Sequence, residues 1–246
     1  MGAQPVFDGA RMFAQIAREL AETDDFASTT QRVVQMARTV LDCDSSAVWS
    51  LTDQDTVRLH AATDPELAEQ YSKLIGSVRE GIAWECLRSN ATIRVQDIRD
   101  DHRWPVYRAA VLKSSEPFLS AVGYSLGHAD NRVGALIVAS RKPQHFTDAL
   151  VELGAIYAEH AAIGIESANA EQRARNLEQA LQSNRRIGMA IGIVMMEYRI
   201  QEGPAFDMLR AVSQHTHRKL REVAEDVILT GALPSWPQRD LAHVGH

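Results

Sequence analysis

Cysteine is scarce in this sequence, with two residues in 246. Cys43 and Cys86 cannot build a disulfide framework, and without a CxxC pair they cannot form a Cys-based zinc site, so a reducing compartment is expected. Long apolar runs are missing as well. The longest stretch without a polar residue is 188–196, well short of the roughly 18 residues a membrane span needs. The chain does not open on a basic segment followed by an apolar one, so a cytoplasmic rather than a secreted protein is expected. Nor is there an excess of positive charge: 26 Lys and Arg face 32 Asp and Glu, a net charge of −6. That balance excludes a basic coat binding nucleic acid indiscriminately. GxxxxGK[ST], GxSxG and HExxH are all absent, so no enzymatic activity is expected. His60, His102, His128, His145 and His160 have no paired spacing on one helix face, so neither a metal nor a cofactor is expected.

What is present is the composition of a globular protein, 45% hydrophobic and 24% charged, long enough for one large domain or two modest ones. Met12, Phe13, Ile16 and Leu20 recur at helical spacing. A second helix carrying Val33, Val34, Ala37, Val40 and Leu41 is expected to be capped by Ser28 or Thr29. The period then changes. Residues 47–51 and 57–61 are short β-prone runs joined by a polar turn, which reads as a hairpin. A helix is expected over 65–74 with a stop at Gly76, another over 81–87, a short strand over 92–95 and a polar loop over 97–105. Two longer strands, 118–125 and 132–140, flank a turn at 127–131. Strands grouped by hairpins rather than alternating with helices predict an α+β fold with an antiparallel sheet.

Five blocks in this order resemble a GAF sensory domain: Ser77-Val78-Arg79-Glu80-Gly81-Ile82-Ala83, Val95-Gln96-Asp97-Ile98, Ala121-Val122-Gly123-Tyr124-Ser125-Leu126, Val133-Gly134-Ala135-Leu136-Ile137-Val138 and Phe146-Thr147-Asp148. The resemblance covers residues 11–168. Gly81, Gly123 and Gly134 sit where a sheet turns or another element approaches closely. Phe146 reads as an apolar anchor ahead of a helix cap. A GAF domain implies a small-molecule ligand, and Trp84, Cys86, Trp104, Tyr107 and Tyr124 are the candidates for lining its pocket, with core packing the plainer role for each. Trp49 and Phe118 are assigned to the core. Some relatives on this fold are methionine sulfoxide reductases that use redox cysteines, the one enzymatic alternative the two thiols leave open.

No proline occurs between Asp148 and Tyr198, and the stretch reads as one long helix. Heptad steps run through Leu153, His160, Ser167, Ala174, Leu181, Gly188 and Met195, with Ile156, Ile163, Ala170, Leu177, Asn184, Ile191 and Tyr198 as companions. This seam predicts a homodimeric coiled coil, its linker at 169–184; the alternative is a single helix whose two ends pack on separate domains.

Residues 185–234 read as three helices, the first ending near Tyr198, the second starting by Glu202 with Pro204 in its first turn, the third stopped by Gly231; a tail follows at 235–246. Three blocks resemble the ANTAR domain, an RNA-binding module of transcription antiterminators: Arg186-Ile187-Gly188-Met189-Ala190-Ile191-Gly192-Ile193-Val194-Met195, Ala205-Phe206-Asp207-Met208-Leu209-Arg210 and Arg218-Lys219-Leu220-Arg221-Glu222-Val223-Ala224. Two departures stand out. His217 replaces the family's usual Asn, which bears on a polar contact to RNA. Gln201-Glu202-Gly203 replaces an opening on Asp, Ser or Thr, which weakens a helix cap.

The resemblance implies a signal-responsive regulator that binds, as a dimer, a dual-hairpin antiterminator in nascent RNA. The alternative is a GAF-mediated small-molecule sensor acting through protein–protein contacts without RNA. Residues 185–232 carry seven basic and six acidic side chains, a net +1, leaving −7 for the remainder. The positive charge gathers around 215–221, where a helix N-terminus adds to Arg and Lys. Arg186, Arg210, His217, Arg218, Lys219 and Arg221 are the candidate RNA contacts. Tyr198 is a candidate for base stacking, and Ala190 and Gly192 either pack helices closely or admit RNA. Met195 and Phe206 are assigned to the core.

Overall fold

The computed structural model describes residues 25–234 except Asp53 and residues 129–130. The helix expected over Met12 to Leu20 lies outside the described residues. Helix α1 (Phe26–Val40) is capped by Asp25, whose Oδ1 accepts from the amides of Ala27 (2.8 Å) and Ser28 (2.9 Å). This corrects the expected cap. Ser28 and Thr29 lie inside the first turn, where their hydroxyls donate to the Asp25 carbonyl, while the upstream carboxylate satisfies the free amides.

Strands β1 (Ser45–Leu51) and β2 (Val57–Ala62) form the expected hairpin. Helix α2 (Pro65–Val78) runs through Gly76 and ends on Arg79 in the left-handed conformation, φ 55°. One glycine costs a helix about 1 kcal/mol, less than burial of an apolar face returns, so Gly76 does not stop it. Helix α3 (Ile82–Ser89) and strand β3 (Ile93–Val95) follow. Helix α4 (Pro105–Val111) begins where the polar loop was expected to end. Pro105 presets its first φ angle, and Tyr107 and Val111, one turn apart, are buried. Its first amides are capped from a distance: Glu80 Oε2 accepts from Val106 (2.9 Å) and Tyr107 (3.0 Å).

Strands β4 (Ser120–His128) and β5 (Asn131–Ser140) complete a five-stranded antiparallel sheet in the order β2-β1-β5-β4-β3. Alternate residues point to opposite faces. Val48, Val122, Tyr124, Leu126, Leu136 and Val138 pack on one face with α1 and the start of the last helix of this unit, whereas Ala47, Trp49, Ala135 and Ile137 face α2, α3 and α4. The α+β fold expected from the strand grouping is the fold observed. Gly134 shows why its position is glycine: a Cβ there would lie 2.2 Å from the carbonyl oxygen of Trp49.

Helix α5 (Asp148–Tyr198) is continuous over 51 residues. Thr147 caps it, its Oγ1 accepting from Leu150 N–H at 3.3 Å, and Phe146 is buried behind the cap. Tyr157 donates to the Val33 carbonyl at 2.7 Å and ties α5 to α1. Arg94, on edge strand β3, reaches the same helix start: it pairs with Asp148 at 2.6 Å and donates to the Phe146 carbonyl.

The chain divides into two compact units within α5, at residues 172 and 173. In the second unit the end of α5 packs with α6 (Glu202–Thr216) and α7 (Leu220–Thr230). Ala190, Val194, Ala205, Leu209, Val212, Val223, Ala224 and Val227 are buried there. Gly231 closes α7 at φ 75°, as expected. Gln201 provides no side-chain cap to α6. Gln201→Asp should therefore raise the stability of this unit by about 1 kcal/mol, read as a higher urea midpoint; an unchanged midpoint would mean the amides are satisfied otherwise.

Candidate functional site

The α6–α7 junction gathers the basic residues. Helix α6 ends on His217, whose φ of 53° is left-handed, and Arg218 N–H donates to the Ser213 carbonyl at 3.1 Å. Ser213 Oγ in turn donates to the Arg218 carbonyl at 2.6 Å. Asn is among the side chains that tolerate this conformation best, with His also enriched. Backbone geometry thus accounts for the residue type at 217 without a contact to RNA. Helix α7 starts at Leu220 with no side-chain cap, its Glu222 and Val223 amides donating to the Lys219 carbonyl at 2.8 and 3.3 Å.

Two of the expected contacts are already engaged. Arg218 Nη1 lies 2.5 Å from Asp226 Oδ2, and its Nε lies 3.9 Å from Glu222. Hydrogen bonding to Arg218 holds the Asp226 carboxyl below the usual carboxylate range, and Asp226 reciprocally raises the Arg218 guanidinium. Arg186, on α5, pairs with Glu225 on α7. These pairs line a groove of about 420 Å³ together with Gln179, Gln182, Ser183, Arg221 and Glu222. Arg210, Lys219 and Arg221 are exposed, and no ion pair is formed by them among the described residues.

The remaining candidates in this unit separate by burial. Ala190 is fully buried in the three-helix core, so it packs helices and is withdrawn as an RNA contact. Gly192 is exposed, with open space where a Cβ would stand. Tyr198 and Met195 are half-buried against the core. Phe206, assigned to the core from its helical spacing, is instead 37% exposed. It falls in the first turns of α6, where Ala205 takes the inward position.

The first unit contains a small, partly open cavity of about 60 Å³ between the sheet and helices α2 and α4. Its floor is made by small strand residues, Ser45, Ala47, Ala121 and Ala139, and its walls by Trp49, Tyr71, Tyr107, Val111 and Phe118. A groove of about 290 Å³ shares Leu67, Tyr71 and Val111 with it and adds Gln70, Leu74 and Lys113. Of the five expected pocket residues only Tyr107 lines this cavity. The other four are corrected. Trp84 lies between the guanidiniums of Arg79 and Arg88, 5.7 and 5.6 Å from its ring. Trp104 donates from Nε1 to Glu85 at 2.9 Å. Cys86 packs under Gly123, its Cβ 3.3 Å from where a Gly123 side chain would start. Tyr124 belongs to the opposite face of the sheet, with α1 and α5. Trp49 is buried in the core as expected and also walls the cavity, which half-buried Phe118 lines with it. Trp49 is held by donation from Nε1 to Ser72 Oγ at 2.7 Å, and burial raises the Tyr71 and Tyr107 hydroxyls above their ordinary range.

The two thiols fall on opposite faces of the sheet, and burial pushes both up to about 12. Among the described residues no cluster of three metal-ligating side chains occurs, and no helix is long and apolar enough to cross a membrane.

The first unit is a sheet flanked by helices on both faces, with a cavity on one of them, and residues 23–166 match the GAF domain family. The chain belongs to that family. Residues 175–228 match the ANTAR domain, so the protein is a GAF–ANTAR protein: the first domain implies a sensor and the second an RNA-binding antitermination regulator. Similar solved structures agree on the fold. The GAF domain of an Acinetobacter phosphoenolpyruvate-protein phosphotransferase is 17% identical over 68% of this chain and 96% of its own, TM-score 0.52. Its counterpart from Coxiella burnetii is also 17% identical, over 68% and 98%, TM-score 0.52. A free methionine-R-sulfoxide reductase from Neisseria meningitidis, in complex with its substrate, is 12% identical over 69% and 95%, TM-score 0.51. No curated protein matches the chain.

Proposed function

We propose that this protein is a dimeric, signal-responsive antiterminator that holds two RNA hairpins of a nascent transcript, one on each copy of the ANTAR unit. The observation that carries the reading is the uncovered seam of α5. Ile156, Ile163, Leu177 and Leu181 are 43%, 62%, 62% and 61% exposed at heptad spacing, and apolar side chains in that register are covered by a second helix. The C-terminal part of the expected seam is used differently, since Ile191, Met195 and Tyr198 pack on their own three-helix core. Each copy brings one basic α6–α7 junction, so a pair matches an RNA with two hairpins. Action on nascent RNA places the protein in the cytoplasm.

The sensor takes a small, neutral, largely apolar molecule. The cavity is lined by no charged side chain, and a charged ligand would lose its hydration there without a countercharge. Its occupation changes how the seam is presented. The protein is a regulator rather than a reductase: thiols held neutral by burial are poor nucleophiles, and their separation by the sheet prevents them from pairing.

Replacing Arg210, Lys219 and Arg221 together with Ala tests the RNA reading. Binding to a dual-hairpin RNA should weaken about 100-fold at 0.1 M salt, and the salt slope should fall by about 2 to 3. Unchanged affinity and slope would remove the junction from the interface.

A further inference from the structure

Three carboxylates share the groove with three arginines: Glu222, Glu225 and Asp226 face Arg186, Arg218 and Arg221. For an RNA-binding surface this is an unusual neighbour. A carboxylate presents two anionic oxygens to a guanidinium much as a phosphate does, and both forms of pair are commonly bidentate. Glu225 holds Arg186, and Asp226 holds Arg218 at 2.5 Å, with Glu222 at 3.9 Å from the same guanidinium. Arg186 and Arg218 remain 48% and 41% exposed, so an incoming phosphate has a path to each. Exposed pairs of this kind are weak, which makes them easy to exchange.

We propose that Glu225 and Asp226 act as internal competitors of RNA phosphates, occupying Arg186 and Arg218 until an RNA that fits the whole surface displaces them. The inference rests on the RNA-binding reading. Its consequence is selectivity. An extended strand does not hold its phosphates in the fixed spacing of a hairpin, so it meets two guanidiniums that are already neutralised without reaching the rest of the surface at the same time. A folded hairpin also engages Arg210, Lys219 and Arg221, which form no ion pair among the described residues, and these contacts offset the exchange. Once displaced, the carboxylates stay beside the RNA backbone and repel it, which penalises an ill-fitting strand further. Acidic residues within a basic site thus serve discrimination at the expense of affinity.

The test uses the full chain and a Glu225→Gln, Asp226→Asn variant, with Asp226→Asn alone as a milder second form. The probes are a dual-hairpin RNA and a 20-nucleotide oligoadenylate, a single strand that forms no hairpin, titrated at several salt concentrations. Removing each carboxylate should tighten oligoadenylate binding about threefold, about tenfold for the pair. The dual-hairpin RNA should gain less, so that the ratio between the two ligands shrinks, and the salt slope for oligoadenylate should steepen by about 1 to 2. Equal or weaker binding of oligoadenylate by both variants, while the parent protein binds the dual-hairpin RNA, would overturn the competitor role and leave the pairs as ties between α5 and α7. If the parent protein binds neither RNA, the RNA reading fails and the competitor role with it.

Discussion

A chain carrying Leu177→Glu and Leu181→Glu is expected to run as a monomer and to bind a dual-hairpin RNA at least 100-fold more weakly, while its affinity for a single hairpin stays within about twofold. Both leucines lie in the part of α5 where every residue from 173 to 182 is exposed, so they are buried by nothing among the described residues. Each buried leucine contributes about 1.5 to 3 kcal/mol to a pair of helices. Two copies lose four such side chains and gain four carboxylates facing one another across the seam. The RNA effect follows from geometry. Two sites held by one dimer bind the second hairpin at an effective concentration that two separate monomers cannot match, a gain of about 10² to 10⁴. Light scattering reads the mass and a titration with one-hairpin and two-hairpin RNAs reads the ratio. A dimeric mass for the variant, or equal losses on both RNAs, would contradict the proposed arrangement.

The second large effect is structural. Gly134→Ala should cost the sensory unit about 4 kcal/mol or more, lowering its thermal midpoint by about 8 to 16 °C in calorimetry. The added methyl would stand 2.2 Å from the Trp49 carbonyl oxygen and 3.2 Å from its carbon. That neighbour is backbone of β1, paired with β5 in the middle of the sheet through Trp49 and Ala135, so it cannot swing aside. Trp49 is also a cavity wall, and the strain would reach the cavity. A midpoint within 2 °C of the parent would show that β1 shifts more freely than its register implies.

How much of this was legible in the residues depends on how local the deciding interaction is. Helix α5 starts and stops where its cap and periodicity put it, and the α6 and α7 boundaries follow Pro204 and Gly231. Helix α4 was hidden because its cap comes from Glu80, far along the chain, and because Tyr107 and Val111 make only one apolar turn. The cavity of the sensory unit was misplaced for a different reason. Aromatic residues were expected to mark it, yet its volume comes from what is missing: Ala47, Ala121 and Ala139 leave room where larger strand residues would fill it. Small side chains give no signal until the sheet order brings them together. The candidate RNA-binding residues were legible in type but not in pairing, since Arg186 meets Glu225 only when α7 folds back on α5.

Strand β3 has three residues, and its brevity matters mechanically. Val95 lines the cavity, while the residue before it, Arg94, points to the other face and grips the first turn of α5 through Asp148 and the Phe146 carbonyl. A strand is stiff along its length, and consecutive side chains cannot move independently of the backbone they share. Three residues at the edge of the sheet thus border the cavity on one face and the root of the long helix on the other.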